Sequence, residues 1–212
     1  MKKGLIIIVT DGNPGGGKNE LIRLLMLDPW FAEFGCSVAE AAETVTLASG
    51  ITREEKDGWP PEMWDAFQKV IAEWTIFSVA RAVHLAILQG KKVLVTNRHI
   101  GSGGAYTRKG LEGLRALTGL DFAEMIDGID HVIVPGPPPE RFYERHEIGN
   151  PKGFRFEHYE RACELGVLAR QAYIELGFVP GETLHAIPGG DDFNVKAALF
   201  IAKARELAGA DR

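Results

Sequence analysis

Gly12-Asn13-Pro14-Gly15-Gly16-Gly17-Lys18 has the glycine and lysine spacing of a phosphate-binding loop. The chemistry requires these residue types. Glycine N–H groups can converge on phosphate oxygens with no Cβ in the way. A helix that starts where the loop ends points its positive end at the same anion. Lys18 then reaches the β- and γ-phosphates of a nucleoside triphosphate. Asn19 stands where a serine or threonine hydroxyl usually ligates magnesium. An amide oxygen can bind a hard cation, but it is neutral and sits on a longer side chain. Glu20 suits the helix dipole and repels phosphate unless it points away or holds the metal. A plain glycine turn is the rival reading, and its context opposes it: a buried strand precedes the loop and an amphipathic helix follows.

Asn97-Arg98 follows a second apolar run, Val93 to Thr96. Asn97 occupies the place of an aspartate that often organises magnesium, so Asn19 and Asn97, the two candidate metal ligands, are both amides. Asp11, Glu20, Glu40 or Glu43 would have to supply the missing charge. Arg98 faces either the phosphates or an acceptor. Glu40 lies where an acceptor hydroxyl could give up its proton, or it serves only as a helix-start carboxylate; Glu43 is one turn further on. Among Arg141, Arg145 and Arg155, Arg145 is the candidate for stabilising charge on a transferring phosphoryl group. Tyr106, in a flexible Ser102–Tyr106 segment, could stack on a flat ring, and His99 is the one histidine of interest. Gly189-Gly190 could let a nucleotide base approach the backbone.

Stepwise along the chain, Leu5–Thr10, Cys36–Glu40, Lys91–Thr96, His131–Pro135 and Thr183–Ile187 read as strands. The first is β-branched and apolar throughout, which suits burial on both faces of a parallel sheet. Helices are expected after the glycine loop, over 62–89, 156–177 and 192–208. Phe67, Trp74 and Phe77 recur at helical spacing and read as core, with Ile76, Val79 and Val83 as a second stripe. Strands alternating with helices predict an α/β fold with a mainly five-stranded parallel sheet between helical layers. Residues 1–212 read as one domain, with a lid around 137–157.

These residues resemble the P-loop kinase-like ATPase domains grouped with bacterial nicotinamide riboside kinase and, more distantly, thymidylate and other nucleotide kinases. The resemblance rests on the loop Gly12–Lys18, on Val38-Ala-Glu-Ala-Ala42, on Asn97-Arg98 with Ala105-Tyr106, and on Tyr173-Ile-Glu-Leu-Gly177. It implies nucleotide at the carboxyl ends of the strands, a mobile lid, and ATP or GTP with magnesium as the phosphoryl donor. Asn19, Asn97 and His99 depart from the family pattern.

The net charge of −5 excludes a global basic field for nucleic acid. No apolar run reads as a membrane span or a signal core. Cys36 and Cys163 lie too far apart in sequence for a metal motif and read as reduced thiols of a cytoplasmic protein. Two functions stay open. One is an ATP- or GTP-dependent phosphotransferase acting on a nucleoside- or nucleotide-like acceptor. The other is a slow or non-catalytic nucleotide-binding module with a degenerate magnesium site. A motor-like ATPase fits less well, because the chain has no basic stripe or second domain. Oligomeric state is not legible.

Overall fold

The computed structural model describes residues 4–51, 55, 58–107, 109–137, 157–190 and 192–210. The chain runs β1 Ile6–Thr10, α1 Lys18–Leu25, α2 Pro29–Phe34, β2 Gly35–Val38, α3 Ala41–Ser49, α4 Pro61–Leu88 and β3 Val93–Asn97. It continues through α5 Ile100–Tyr106, α6 Gly110–Thr118, α7 Phe122–Ile126, β4 His131–Pro135, α8 Glu157–Glu175, β5 Leu184–Ile187 and α9 Phe193–Ala208. The five strands form one parallel sheet in the order β2-β3-β1-β4-β5. Central β1 lies between β3 and β4, so the loop that leaves it opens at the place where α/β sheets form a ligand crevice.

Alternation along the strands divides the core. Ile8, Val93, Val95, Ile133 and Ile187 pack on one face with Leu21, Leu25, Phe31 and Phe200 from α1, α2 and α9. Ile7 and Leu94 face the other way against Ala86 of α4, and Val9, Val132 and Val134 against Tyr173 of α8. Helices thus cover both faces, as a buried parallel sheet requires. α2 is an element the sequence reading lacks. Asp28 caps it by accepting from Trp30 N and Phe31 N, and Pro29 sits in its first turn.

Two expectations need correction. The Ser102–Tyr106 segment belongs to α5, a helix buried from Ile100 to Ala105, rather than to a flexible loop. Its glycines serve close packing: a Cβ on Gly101 would run into the Tyr173 ring, and one on Gly103 would come within 2.8 Å of Leu114. Trp74 and Phe77 are not core but exposed, at 42% and 58%. α4 turns its other stripe inward, with Ala72, Thr75 and Ala86 buried.

Candidate functional site

Asp11, fully buried just past β1, ties the site together. Its carboxylate accepts from Gly12 N at 2.7 Å, Ser102 N at 3.1 Å, His99 N at 3.3 Å and Tyr173 OH at 2.7 Å, and also from Ser102 Oγ. One side chain therefore joins the glycine loop, the turn after β3, α5 and α8. A buried carboxylate survives only with this kind of compensation. Burial and the neighbouring Asp11 charge push the Tyr173 hydroxyl well above its usual pKa, so it remains a donor.

The loop then turns through Gly17, whose φ of 78° starts α1 and whose α-face is covered by the Phe193 ring. A Cβ there would lie 2.7 Å from Phe193 Cε2. Asn13 is anchored by Nδ2 donating to Pro135 O at 3.2 Å. Lys18 Nζ folds back to donate to Asn13 O at 2.6 Å and Gly12 O at 3.4 Å. Burial, and then repulsion from Arg98, lower its pKa to about 7. Lys196 of α9 clamps the loop from below, donating to Gly16 O at 3.1 Å and Gly136 O at 2.6 Å. Burial lowers its pKa to about 8.

Arg98 leaves β3 with a left-handed φ of 64°, a conformation unfavourable for a side chain with a Cβ. The turn aims its guanidinium at Glu40, with Nε 2.8 Å from Oε1, and over the Tyr106 ring at 5.3 Å. Burial works against its charge, but Tyr106, Glu40 and Asp11 hold it more firmly protonated than usual. This ion pair separates two hollows. One, of about 260 Å3, is lined by Gly15, Gly16, Gly17, Lys18, Asn19 and Glu20. The other, of about 180 Å3, is apolar and lined chiefly by Trp64, Phe67, Ile71, Ala72, His99 and Tyr106. Glu40 and Arg98 line both. His99 is buried, which lowers its pKa to about 4, so it is neutral at physiological pH. Its Nδ1 has no hydrogen-bond partner among the described residues.

Asn19 and Asn97 do come together: Asn97 Nδ2 donates to Asn19 Oδ1, while Asn97 Oδ1 is buried with no hydrogen-bond partner among the described residues. One of the two candidate ligand oxygens, Asn19 Oδ1, is thus taken up by the Asn97 amide. The nearby carboxylates are engaged elsewhere: Asp11 with its five donors, Glu40 with Arg98, and Glu20 with Arg23 at 2.6 Å on the surface. No group of three or more His, Cys, Asp or Glu among the described residues could hold a metal. This donor set does not fit a magnesium ion held by the protein.

The structure thus places Gly15, Gly16, Gly17, Lys18, Asn19, Glu20, Glu40 and Arg98 around one hollow, with Gly12 and Asn13 held to Lys18, Asn97 held to Asn19, and Pro14 in the same loop. Arg141, Arg145 and Arg155 lie outside the described residues, as do most lid positions and the Glu43 side chain. Sequence reasoning missed Lys196 and Phe193, which follow the fifth strand. Nothing in their spacing marks them; the return of α9 beneath the loop does.

A glycine loop follows the central strand of a parallel 2-3-1-4-5 sheet with helices on both faces, an α/β fold that solved structures share. No family model and no curated protein matches the chain. Solved structures do. A NadR protein in complex with NR is similar with a TM-score of 0.70 at 15% identity, covering 98% of this chain and 53% of that one. A NadR protein in complex with NAD and AMP-PNP gives 0.67 at 15%, covering 98% and 51%. The thymidylate kinase of Ehrlichia chaffeensis gives 0.55 at 15%, covering 95% and 99%. The chain therefore spans about half the length of the NadR chains it resembles, and the likeness is one of fold.

Proposed function

We propose that the protein binds ATP or GTP and transfers its terminal phosphoryl group to a small hydroxyl compound of the nucleoside or nucleotide kind. The observation that carries this reading is the Arg98–Glu40 pair standing between an anion-binding hollow and an apolar one. A triphosphate fits the loop N–H groups and the start of α1. Lys18 gives up its backbone acceptors and turns to the phosphate oxygens. The apolar hollow suits a flat ring against Tyr106, Trp64 and Phe67, with His99 Nδ1 as a hydrogen-bonding atom for its edge. In the transfer step the acceptor hydroxyl loses its proton to the Glu40 carboxylate. Its oxygen bonds to the γ-phosphorus, and the bond to the β-phosphate bridging oxygen breaks, releasing nucleoside diphosphate. Arg98 holds the developing charge, with Arg145 proposed to join it from the lid. The NR and nucleotide ligands of the similar structures agree with this substrate class. A cytoplasmic setting belongs to the reading, with Cys36 and Cys163 as free thiols.

The test is a coupled assay for diphosphate release with ATP or GTP and a panel of nucleosides and nucleotides, including nicotinamide riboside and thymidylate. Turnover with one acceptor and its loss in Glu40→Gln are expected. No turnover across the panel, despite nucleotide binding, overturns the enzyme reading.

A second reading is favoured by the Asn19–Asn97 bond: a nucleotide-binding module that works without protein-held magnesium. It predicts that ATP raises the melting temperature equally in magnesium and in EDTA. Saturation at about a hundred times the dissociation constant is worth roughly 2.7 kcal/mol. Asn19→Ser combined with Asn97→Asp should add a further shift that appears only with magnesium. A wild-type shift that vanishes in EDTA refutes the amide account.

A further inference from the structure

Lys196 occupies a position that costs a lysine twice. It belongs to the buried stripe of α9, with Ala197, Phe200, Ala204 and Ala208, and only 4% of it is exposed. Burial there penalises its charge. It also closes the first turn after the Asp192 cap, where a cation opposes the helix dipole. An unbranched apolar side chain would fill the same space at neither cost. What the ammonium meets instead is two carbonyl oxygens, Gly16 O at 3.1 Å and Gly136 O at 2.6 Å. Gly136 is itself held, because its N–H donates to Ile187 O at 2.8 Å and a Cβ on it would run into the Gly189 backbone. The ends of β4 and β5 thus fix one side of the bridge, and the phosphate loop is the side that is gripped.

Peptide planarity gives the grip a direction. In a trans peptide the carbonyl oxygen and the next residue's N–H point opposite ways. Holding Gly16 O down on Lys196 therefore turns the Gly17 N–H away from α9. The hollow on that other side is lined by Gly15, Gly16, Gly17 and Lys18 and does not include Lys196. Gly136 O aims nothing in this way, because Pro137 has no N–H; it serves as the anchor. A bond to a carbonyl also polarises its peptide and strengthens the following N–H as a donor. We propose that Lys196 is a positioning residue for anion binding, which from behind the loop aims and polarises the Gly17 N–H toward the phosphates. The proposal rests on the nucleotide-binding reading and adds a second cation that acts through the backbone rather than on the ligand. Lys18 is the ionisable neighbour that feels it, since Lys196 contributes to lowering the Lys18 pKa. Two cations on opposite sides of one glycine loop repel each other, and a polyphosphate between Lys18 and the loop relieves that repulsion.

Two measurements on the full chain test it. In calorimetry at pH 7, Lys196→Met should weaken binding of both ATP and pyrophosphate at least about tenfold, as loss of a preorganised donor does. Lys196→Arg, which keeps the charge and the donors, should restore most of the affinity. The second readout needs no ligand. The Gly17 amide nitrogen and proton resonances of the free protein should shift with pH with a midpoint of about 8, where Lys196 loses its proton. That step should persist in Lys18→Met and vanish in Lys196→Met. A lysine that merely stabilised α9 would change the melting temperature and leave this step unmoved. A Gly17 resonance that does not titrate near pH 8, or titrates equally in Lys196→Met, overturns the proposal. So does tight pyrophosphate binding by a folded Lys196→Met; should that variant not fold, the wild-type and Lys18→Met titrations still decide. Wild type that binds neither ATP nor pyrophosphate overturns the nucleotide reading and this proposal with it, whereas wild-type binding that Lys196→Met leaves intact overturns this proposal alone.

Discussion

Asp11→Ala is expected to unfold the protein at a far lower urea concentration than wild type, with a loss of about 3–5 kcal/mol. The carboxylate it removes is fully buried and takes hydrogen bonds from three backbone amides and two hydroxyls. In the variant those donors stay buried, and each orphaned group costs about 1–3 kcal/mol. Local relaxation keeps the total below their sum. For a chain of this size, such a loss lowers the melting temperature by roughly 10 °C. Tyr173→Phe separates the bond from the packing. It keeps the ring against Gly101 and Phe178 and removes one donor to a charge, worth about 1.5–3 kcal/mol. In a double-mutant cycle, Tyr173→Phe should cost far less in the Asp11→Ala background than in wild type. Additive losses would show that Asp11 does not act through Tyr173.

Asp11 also shows where sequence reasoning stops. The glycine loop was legible because its parts are neighbours: strand, turn, lysine and helix lie within about twenty residues, so spacing alone specifies the chemistry. The parallel sheet was legible because strands buried on both faces need unbroken β-branched runs, as in Ile6 to Val9. Asp11 draws on His99, Ser102 and Tyr173, whose sequence separations of 88, 91 and 162 residues leave no local periodic trace. Lys196 reaches Gly16 across 180 residues for the same reason. The error at Trp74 and Phe77 is of another kind. Both stripes of α4 repeat at helical spacing, and periodicity identifies an apolar face without saying whether the sheet or another surface meets it. The glycines of the Ser102–Tyr106 segment misled because glycine serves close packing as readily as flexibility. Tyr173, across the fold, decides between the two.

Nucleotide affinity is expected to fall as pH rises from 7 to 9, while the empty protein gains stability over the same range. Both follow from Lys18. Burial, then Arg98, lower its pKa to about 7, against an ordinary value of 10.5. From pH 7 to 10.5 the unfolded chain thus holds a proton that the folded chain has lost. Stability therefore rises with pH through that window from this group and levels off below it. A polyphosphate reverses the balance, because the anion favours the ammonium form and raises its pKa. Binding then takes up a proton, and log K falls by up to about one unit per pH unit above 7. Lys196, with a pKa near 8 and bonded to Gly16, steepens the fall above that value. Calorimetry at pH 8 in buffers of different ionisation enthalpy would read the uptake directly. Lys18→Met should abolish most of it and weaken ATP binding about a hundredfold, roughly 2.7 kcal/mol. It should also stabilise the empty protein at pH 7 by removing a buried charge. A pH-independent affinity, or Lys18→Met binding ATP as tightly as wild type, would mean that the ammonium stays on Asn13 O and Gly12 O when nucleotide is present. The loop would then hold its ligand by backbone N–H groups alone.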